Sequence, residues 1–432
     1  MRNSSQSTLT VSRQTGEPSV LLAQWIDSAA DGAVLLVDFE LHQWWLENKP
    51  LQPLVAIYSR EGDQTLYAVT DQVVTLTEFV PYSRFRDWAS RRQLAVLRPG
   101  QALGLQPTRI PKPWGQEVWF TGVEERGVCC YTDGQYATPI PWAQAAAPGV
   151  CAGASGEPLV LLKVLDPAPE EVVGDLYFEL HEEKREVYVV THVDSKAWPE
   201  GSGGIRYGFD SERLAEAESE AAFRHEYLQA VRDYERVRRQ IDGLSSGTLV
   251  PQSLRDEEKA RREAMNSFTH MRSLEVGDVV VVPLLMPHSL QHGVRTIEFQ
   301  TPVYERQILS FAQKVLTQDH WDTESAVQQM RLTPPPDAAF ELLPSEDGVV
   351  IERIVDFPDF EVLRVAIVAG GAMTLQGANT YQLLMLIEGR LELDGLQLGA
   401  ENAAFLPSGQ VFQFCCSDPS QPLVLLLALP RS

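Results

Sequence analysis

The chain has 432 residues, 44% of them hydrophobic, and a formal net charge of −23 at pH 7. This length and composition exclude a chain that is disordered throughout, and they suffice for two or three packed domains. The negative charge would repel phosphate backbones and anionic lipid surfaces, which argues against nucleic acid and membranes as partners. An anionic small-molecule substrate would need a local group of cations.

The first 18 residues are polar and predict a disordered tail without the apolar core of a secretion signal. No apolar run approaches the roughly 18 residues of a membrane span. We therefore expect a cytoplasmic protein. The cysteines are odd in number and lack the spacing of a zinc ribbon or a disulfide framework, so we expect them to be reduced and structural. They are Cys129, Cys130, Cys151, Cys415 and Cys416.

Up to about residue 105, short β-type runs surround a turn signal at Glu61-Gly62-Asp63. We interpret residues 1–105 as the tail followed by an accessory α/β region, and we assign no chemistry to it. From residue 106 to about 199 the sequence consists of β-type runs that are interrupted by prolines. These runs predict a β domain.

The pattern changes to helical spacing between about residues 210 and 270. Asp210 or Ser211 can cap a first helix, which Gly243 would end, and Ser253 with Asp256 three residues later has the arrangement of a capping box for a second helix. Strand character then returns. The sequence therefore predicts one β domain over residues 106–333 with a helical insertion.

Three prolines and an aspartate at 334–337 indicate a linker. The remainder, residues 338–432, is a series of short β-type runs at regular spacing. We expect a second all-β domain there.

Two segments carry a candidate metal site. Glu179, His181 and Glu186 lie in ELHEEKRE, where alternation along a strand places donors on one face. About a hundred residues later, a β-branched run after Gly277 leads to His288. Together these residues supply oxygen and nitrogen donors from distant parts of the chain.

The two segments resemble the two motifs of the cupin family, a family of double-stranded jelly-roll barrels. The first motif has a glycine, two donors separated by one residue and then a glutamate; the second has a glycine, a proline and then a histidine. Leu285 and His292 stand where the second motif has glycine and asparagine. The matching residues are Gly174, Glu179, His181 and Glu186, and then Gly277, Pro283 and His288.

Among cupins, residues 106–430 resemble the type I phosphomannose isomerases. The segments that carry this likeness are KPWG (112–115), LLKVLD (161–166), IRYGF (205–209) and IEFQ (297–300). The resemblance implies a mainly β chain with two cupin jelly-roll barrels, a helical insertion in the first barrel and an N-terminal accessory region. In the second barrel, Gln382 and Phe412 stand where ligands would be, so we expect it to lack a metal.

The resemblance also implies the chemistry. It assigns a divalent metal, zinc first, with iron, manganese, cobalt or nickel as substitutes. The activity would be the interconversion of mannose 6-phosphate and fructose 6-phosphate or a related sugar phosphate, with Glu298 as the base, Lys184 as an acid or oxyanion partner, and Arg306 as a contact to phosphate or an enediolate. The implied metal ligands are Glu179, His181, Glu186 and His288.

The chain departs from that family at three points. Glu179 stands where the family has glutamine, His181 is not followed by proline, and the segment between His181 and Lys184 is short. Two other functions therefore stay open: an iron-dependent cupin oxygenase, and a sugar-binding cupin without catalysis. The histidines could also be hydrogen-bonded core residues, and Lys184 could lie in an exposed charged hairpin. The oligomeric state cannot be read from the sequence.

Overall fold

The structure of the protein, a computed structural model, describes residues 9–147, 158–245, 247–337, 339–416, 418 and 420–431. By compactness the chain divides into two units. The first comprises residues 1–108, 119–162 and 340–432, and the second comprises residues 109–118 and 163–339. Within the described ranges, no helix is both long enough and apolar enough to cross a membrane.

Up to residue 147 the chain consists mostly of short strands, with a few helices between them. In chain order its elements are β1 (Thr10–Thr15), α1 (Pro18–Ile26), β2 (Ala33–His42), β3 (Leu51–Glu61), β4 (Gln64–Thr70), a 3-10 turn (Leu76–Phe79), α2 (Phe85–Arg91), β5 (Leu103–Gln106), β6 (Thr108–Lys112), β7 (Gly115–Trp119), β8 (Val123–Glu124), β9 (Gly127–Val128), β10 (Cys130–Thr132), β11 (Ala137–Pro139) and α3 (Ile140–Ala146).

The middle of the chain continues with the elements that position the candidate site. They are β12 (Leu161–Pro167), β13 (Phe178–Leu180), β14 (Glu186–Val193), β15 (Gly203–Phe209), α4 (Ser211–Glu216), α5 (Glu220–Asp242), α6 (Gln252–Asn266), β16 (Thr269–Leu274), β17 (Val279–Val282), β18 (His288–Leu290), β19 (Val294–Gln300), β20 (Gln307–Ser310) and α7 (Thr323–Ala326).

The last part of the chain is of β type throughout its described residues. It contains β21 (Glu341–Leu343), β22 (Val349–Asp356), β23 (Phe360–Ile367), β24 (Ala372–Leu375), β25 (Gln382–Glu388), β26 (Leu391–Leu393), β27 (Leu396–Leu398), β28 (Ala403–Leu406), β29 (Phe412–Cys416) and β30 (Leu423–Pro430). The chain is thus mainly β, as the sequence predicts.

The second unit contains two sheets that share one apolar core. The described strands of the larger sheet are ordered β17-β14-β19-β12-β7-β6, and those of the smaller sheet are ordered β16-β15-β18-β13-β20. Tyr188 and Val190 of β14 contribute to the core from one sheet, and Ile205 and Tyr207 of β15 contribute from the other. Strand alternation directs these side chains to the same interior, which also receives the candidate site.

Helices cover the opposite face of the smaller sheet. α5 buries Phe223, Tyr227, Val231 and Tyr234 at intervals of three or four residues, as an amphipathic helix requires. These side chains pack in one cluster with Phe178 and Leu180 of β13 and Phe209 of β15. Because Phe178 and Leu180 point toward the helices, Glu179 between them points toward the interior.

The helical region agrees with the expected range in most details. Asp210 caps α4 by accepting a hydrogen bond from the backbone of Arg213, and Gly243 follows the last residue of α5. The expected capping box at Ser253 is wrong. α6 already begins at Gln252, Pro251 occupies the N-cap position, and no side chain caps the helix.

The structure contradicts the expectation that the first 18 residues form a disordered tail. Residues 1–8 lie outside the described residues, but Thr10–Thr15 form a strand that pairs in parallel with β2. The sheet has the order β1-β2-β3-β4, and α2 packs against it through Phe85 and Trp88. Polar composition alone predicted disorder, whereas the backbone of these residues is held by hydrogen bonds to a strand more than twenty residues away.

The first unit contains a sheet that joins distant parts of the chain. Its described strands have the order β11-β10-β5-β28-β25-β30-β23-β22-β21. Residues 119–162 and the strand at 103–106 therefore group with the last hundred residues, which differs from the boundaries near 106 and 338 that the sequence predicts. The reason is lateral pairing between β5 and β28, for which local composition carries no signal.

Part of the first unit has an apolar core. Phe412 lies in it with Leu384, Leu386 and Phe414, and Gln382 is also buried.

Cys129, Cys130, Cys415 and Cys416 are free thiols, and Cys151 lies outside the described residues.

Gly174 permits a close approach between two segments of the backbone. A Cβ at this position would lie 1.8 Å from the carbonyl oxygen of Ala168 and 2.7 Å from the Cβ of His292. We therefore expect Gly174→Ala to lower the free energy of unfolding by about 3 kcal/mol or more, measured by urea denaturation.

Gly277→Ala is the control for that substitution. Gly277 has φ +95° and no atom within 4 Å of a built Cβ, so its cost is backbone strain of about 1–2 kcal/mol. Equal losses in the two variants would refute the argument from close packing.

Candidate metal centre

Strand pairing brings the four predicted ligands to one place. Glu179 of β13 lies directly opposite His288 of β18 in an antiparallel pair. His181 follows β13 immediately, and Glu186 is the first residue of β14 in the facing sheet. The cluster therefore draws on both sheets of the second unit.

The donor atoms lie close enough together to form a candidate metal site. Glu179, His181 and His288 each offer one atom such that these atoms all lie within 4.8 Å of one another. Glu186 adds its carboxylate, with Oε1 3.4 Å from His181 Nε2 and Oε2 3.0 Å from His288 Nε2. The side chains of His181, Glu186 and His288 are almost fully buried.

The hydrogen bonds of the two imidazoles determine which nitrogen faces the cluster. His181 Nδ1 lies 2.9 Å from the carbonyl oxygen of Glu305, and His288 Nδ1 lies 2.9 Å from that of Met286. A carbonyl oxygen can only accept, so each Nδ1 carries a hydrogen and donates it. In the neutral rings both Nε2 atoms are consequently acceptors directed at the cluster.

Three acceptor atoms of the centre lack a donor within the described part of the chain. His181 Nε2, His288 Nε2 and Glu179 Oε2 are buried and have no hydrogen-bond partner among the residues that the structure describes. Buried acceptors left in this state cost about 1–3 kcal/mol each. A cation between them, either an imidazole proton or a metal ion, removes this cost. Two imidazoles and two carboxylates suit a borderline divalent ion, so the residues fit such a metal.

Glu186 is held as a carboxylate. The Lys184 Nζ atom lies 2.9 Å from Oε1, and the Tyr188 hydroxyl donates to Oε2 at 2.7 Å. Burial by itself would raise the pKa of Glu186, but Lys184 and the two imidazoles outweigh it and hold that pKa well below its ordinary value. Lys184 is itself buried, so it does not lie in an exposed charged hairpin.

The two imidazoles differ in their electrostatic surroundings. Burial and the nearby Lys184 ammonium lower the pKa of His181, which favours the neutral ring. Burial also lowers the pKa of His288, but the hydrogen-bonding distance to Glu186 reverses the effect and raises it. In the absence of a metal, His288 is therefore the ring that more readily takes a proton.

Arg306 lies at the edge of the cluster. Its Nε lies 3.9 Å from Glu179 Oε2, its Nη2 donates to Thr317 Oγ1 at 2.9 Å, and its guanidinium carbon lies 4.5 Å from the centre of the Tyr177 ring. The side chain is 24% exposed. The guanidinium is therefore oriented by its neighbours while part of it still reaches solvent.

Glu298 is a buried carboxyl in the same interior. It lies on β19 opposite Tyr188 of β14, and its Oε2 is 4.0 Å from the Lys163 Nζ atom. Lys163 donates to Gln300 Oε1 at 2.7 Å. Burial raises the pKa of Glu298 to about 8, although Lys163 opposes the shift. A carboxyl with a pKa near neutrality is suited to both accepting and returning a proton.

The two positions that depart from the second motif have structural explanations. Leu285 adopts φ 63°, a region that glycine enters at low cost, and its backbone N–H donates to the carbonyl oxygen of His181 at 2.7 Å. His292 Nδ1 lies 2.7 Å from Asp175 Oδ1, and its ring stacks on Trp198. His292 is thus engaged outside the donor cluster.

Several residues at the site were not predicted from the sequence. Glu305 holds His181 through its carbonyl group, and its carboxylate accepts from the backbone of Glu182 and Glu183. Tyr188 could have been found, because it stands two residues after Glu186 and therefore on the same face of the strand. Glu305 carries no such local signal.

Comparisons with known proteins indicate the fold. No protein-family model matches the chain, and no curated protein matches its sequence. Solved structures do match: mannose 6-phosphate isomerase from Bacillus subtilis has a TM-score of 0.55 at 15% identity, covering 76% of this chain and 99% of that one. A mutant phosphomannose isomerase from Salmonella typhimurium has a TM-score of 0.54 at 12% identity, and the match covers 77% of this chain and 100% of that chain.

A zinc-bound mannose 6-phosphate isomerase is also similar, with a TM-score of 0.52 at 13% identity over 77% of this chain and 100% of that chain. At these identities the comparisons show a shared fold.

Proposed function

We propose that the protein is a divalent-metal-dependent aldose–ketose isomerase that acts on a phosphorylated sugar, with mannose 6-phosphate and fructose 6-phosphate as the first pair to test. The observation that carries this proposal is the convergence of buried acceptors at His181, Glu186 and His288, with Glu298 in the same interior. The fold shared with phosphomannose isomerases supports it.

The metal would be held by two imidazoles and two carboxylates. When bound, a divalent ion polarises the sugar oxygens and stabilises negative charge that develops on them. We propose zinc first, because the donor set suits it and one similar structure contains it. The proposed ligands are Glu179, His181, Glu186 and His288.

Glu298 is the proposed base. In its ionised form it would take a proton from one of the two carbons that exchange oxidation level and return it to the other. Its burial and its pKa near 8 favour reversible transfer. Lys163, which lies 4.0 Å from it, would stabilise the ionised form.

Arg306 and Lys184 are the proposed cationic groups. Arg306 combines a fixed orientation with partial exposure, and its guanidinium suits the phosphate of a substrate or an enediolate. The Lys184 ammonium, paired with Glu186 at 2.9 Å, would serve as an acid or oxyanion partner. Together they would supply the local positive charge that an anionic substrate needs in a chain of net charge −23.

We further propose that the chain contains two cupin jelly-roll barrels. The first would be the metal-binding barrel in the second unit, residues 109–118 and 163–339. The second would be structural and would include the sheet in which strands from residues 103–139 pair with strands from residues 341–430. The apolar surroundings of Phe412 support the absence of ligands from the second barrel.

The test combines metal analysis of the purified protein with a coupled isomerase assay on mannose 6-phosphate. We expect about one divalent ion per chain and turnover that a chelator abolishes and added metal restores. Bound iron with oxygen consumption and no isomerisation would instead support an oxygenase. Sugar binding without turnover of any hexose phosphate would support a binding protein.

A further inference from the structure

Tyr188 contacts two of the four proposed metal ligands. Its hydroxyl donates to Glu186 Oε2 at 2.7 Å, and its ring centre lies 5.9 Å from that of His288. The residue is 4% exposed, so water has little access to replace this hydrogen bond. The phenol is therefore a fixed part of the centre's surroundings.

The strand register makes this contact specific. Glu186 and Tyr188 lie two residues apart on β14 and project from the same face. The partner of Tyr188 on β19 is Glu298, the proposed base. Tyr188 is thus a neighbour of Glu186 along β14 and of the proposed base, Glu298, across the sheet.

The two oxygens of Glu186 have different partners. Oε1 faces the Lys184 ammonium at 2.9 Å, whereas Oε2 receives the Tyr188 hydroxyl at 2.7 Å. A carboxylate that is bound from both sides cannot rotate freely about its last torsion. Without the phenol, Oε2 would lose its neutral donor, and the orientation of the carboxylate would depend on Lys184 and on the two imidazoles.

We propose that Tyr188 is a positioning residue that orients the Glu186 carboxylate for metal binding and thereby sets the affinity of the centre. This inference rests on the proposed metal dependence. It does not require that the substrate be a particular sugar. Hydrogen-bond partners of metal ligands typically contribute a factor of about 10–100 to metal affinity.

The experiment uses the full chain and Co²⁺ as the probe, since the visible spectrum of this ion reports its coordination. Wild type, Tyr188→Phe and Tyr227→Phe are stripped of metal and titrated with Co²⁺ in competition with a chromophoric chelator. Tyr227 is the matched control, because its buried hydroxyl has no hydrogen-bond partner among the described residues. The rise in thermal midpoint on adding Co²⁺ is the second measurement.

We expect Tyr188→Phe to bind Co²⁺ about 10–100-fold more weakly, with an altered visible spectrum and a smaller metal-induced rise in thermal midpoint. Tyr227→Phe should match wild type within about twofold. Because phenylalanine preserves the ring, the metal-free midpoints report any general loss of packing separately from metal binding.

The outcomes separate this inference from the proposed function. Wild-type affinity and an unchanged spectrum in Tyr188→Phe would overturn the role of Tyr188 and leave metal dependence intact. Equal weakening in both tyrosine variants would also overturn it, because the effect would then be general. Failure of the wild type to bind Co²⁺ or zinc would overturn the proposed function itself.

Discussion

Replacement of His288 by alanine is expected to abolish the proposed metal binding and with it the proposed isomerase activity. The Nε2 atom of this ring is buried and lies 3.0 Å from Glu186 Oε2, so its loss leaves Glu186, His181 and Glu179 to hold the ion. Removing a residue that hydrogen-bonds to a metal ligand typically weakens metal binding about 10–100-fold. Because His288 is itself a proposed ligand, we expect its loss to weaken metal binding by more than this. Elemental analysis after dialysis and the coupled assay measure the two effects.

His225→Ala is the control for this experiment. His225 lies on α5 and is exposed, and we expect its replacement to change neither metal content nor turnover. Retention of a full equivalent of metal by the His288 variant would contradict the proposed ligand set, whatever its activity.

Replacement of Glu298 by glutamine is expected to lower kcat by about 10²–10⁴-fold while the metal content stays unchanged. Glutamine preserves the size of the side chain but cannot accept the proton. The distinction from His288→Ala is therefore the metal, which this variant should keep. Loss of metal from Glu298→Gln would indicate that Glu298 belongs to the ligand set, and undiminished kcat would exclude it as the base.

The raised pKa of Glu298 should make the free energy of unfolding of the metal-free protein depend on pH. Burial raises its pKa from 4.5 to about 8; Lys163 and Lys184 oppose this shift, whereas Glu186 and Glu117 reinforce it. Between these two values the folded state holds a proton that the unfolded state has released. Stability from this group is therefore complete below about pH 4.5 and is lost as the pH rises through about 8.

The variant Glu298→Gln should flatten that part of the pH profile. We expect metal-free Glu298→Gln to gain stability over wild type as the pH rises from about 5 to about 9, since each pKa unit corresponds to about 1.4 kcal/mol. Urea unfolding at several pH values measures this difference. Glu257→Gln, at an exposed position on α6, is the control and should run parallel to wild type. A parallel profile for Glu298→Gln would contradict the raised pKa.

Local sequence was sufficient for the choice of candidate ligands. The alternation of Glu179 and His181 and the interval from Gly277 to His288 are readable over short segments, and the structure brings these donors together. The helical region could be predicted for the same reason, because the cap at Asp210 and the helical spacing of apolar residues such as Val231 are local signals. Capping at Ser253 was a weaker signal, and it was wrong.

Other parts of the site depended on contacts between distant residues. The direction of each imidazole is set by a backbone carbonyl, and for His181 that carbonyl belongs to Glu305, more than a hundred residues away. Likewise, only the folded chain places Arg306 beside Glu179 and Lys163 beside Glu298. The sequence around a charged residue does not reveal which distant side chain it will contact, because charged residues of the same types also occur at exposed positions throughout the chain.

The amino-acid sequence by itself determined that the chain is mainly β and which donor types could meet, because strand alternation and motif spacing are local properties. The tertiary structure alone decided that Thr10–Thr15 join a sheet, that Tyr188 donates to Glu186 and that Glu298 is buried. These features arise from pairing and packing between segments far apart in the chain. Their energies depend on burial and on the distances between charges, which exist only once the strands have been brought together.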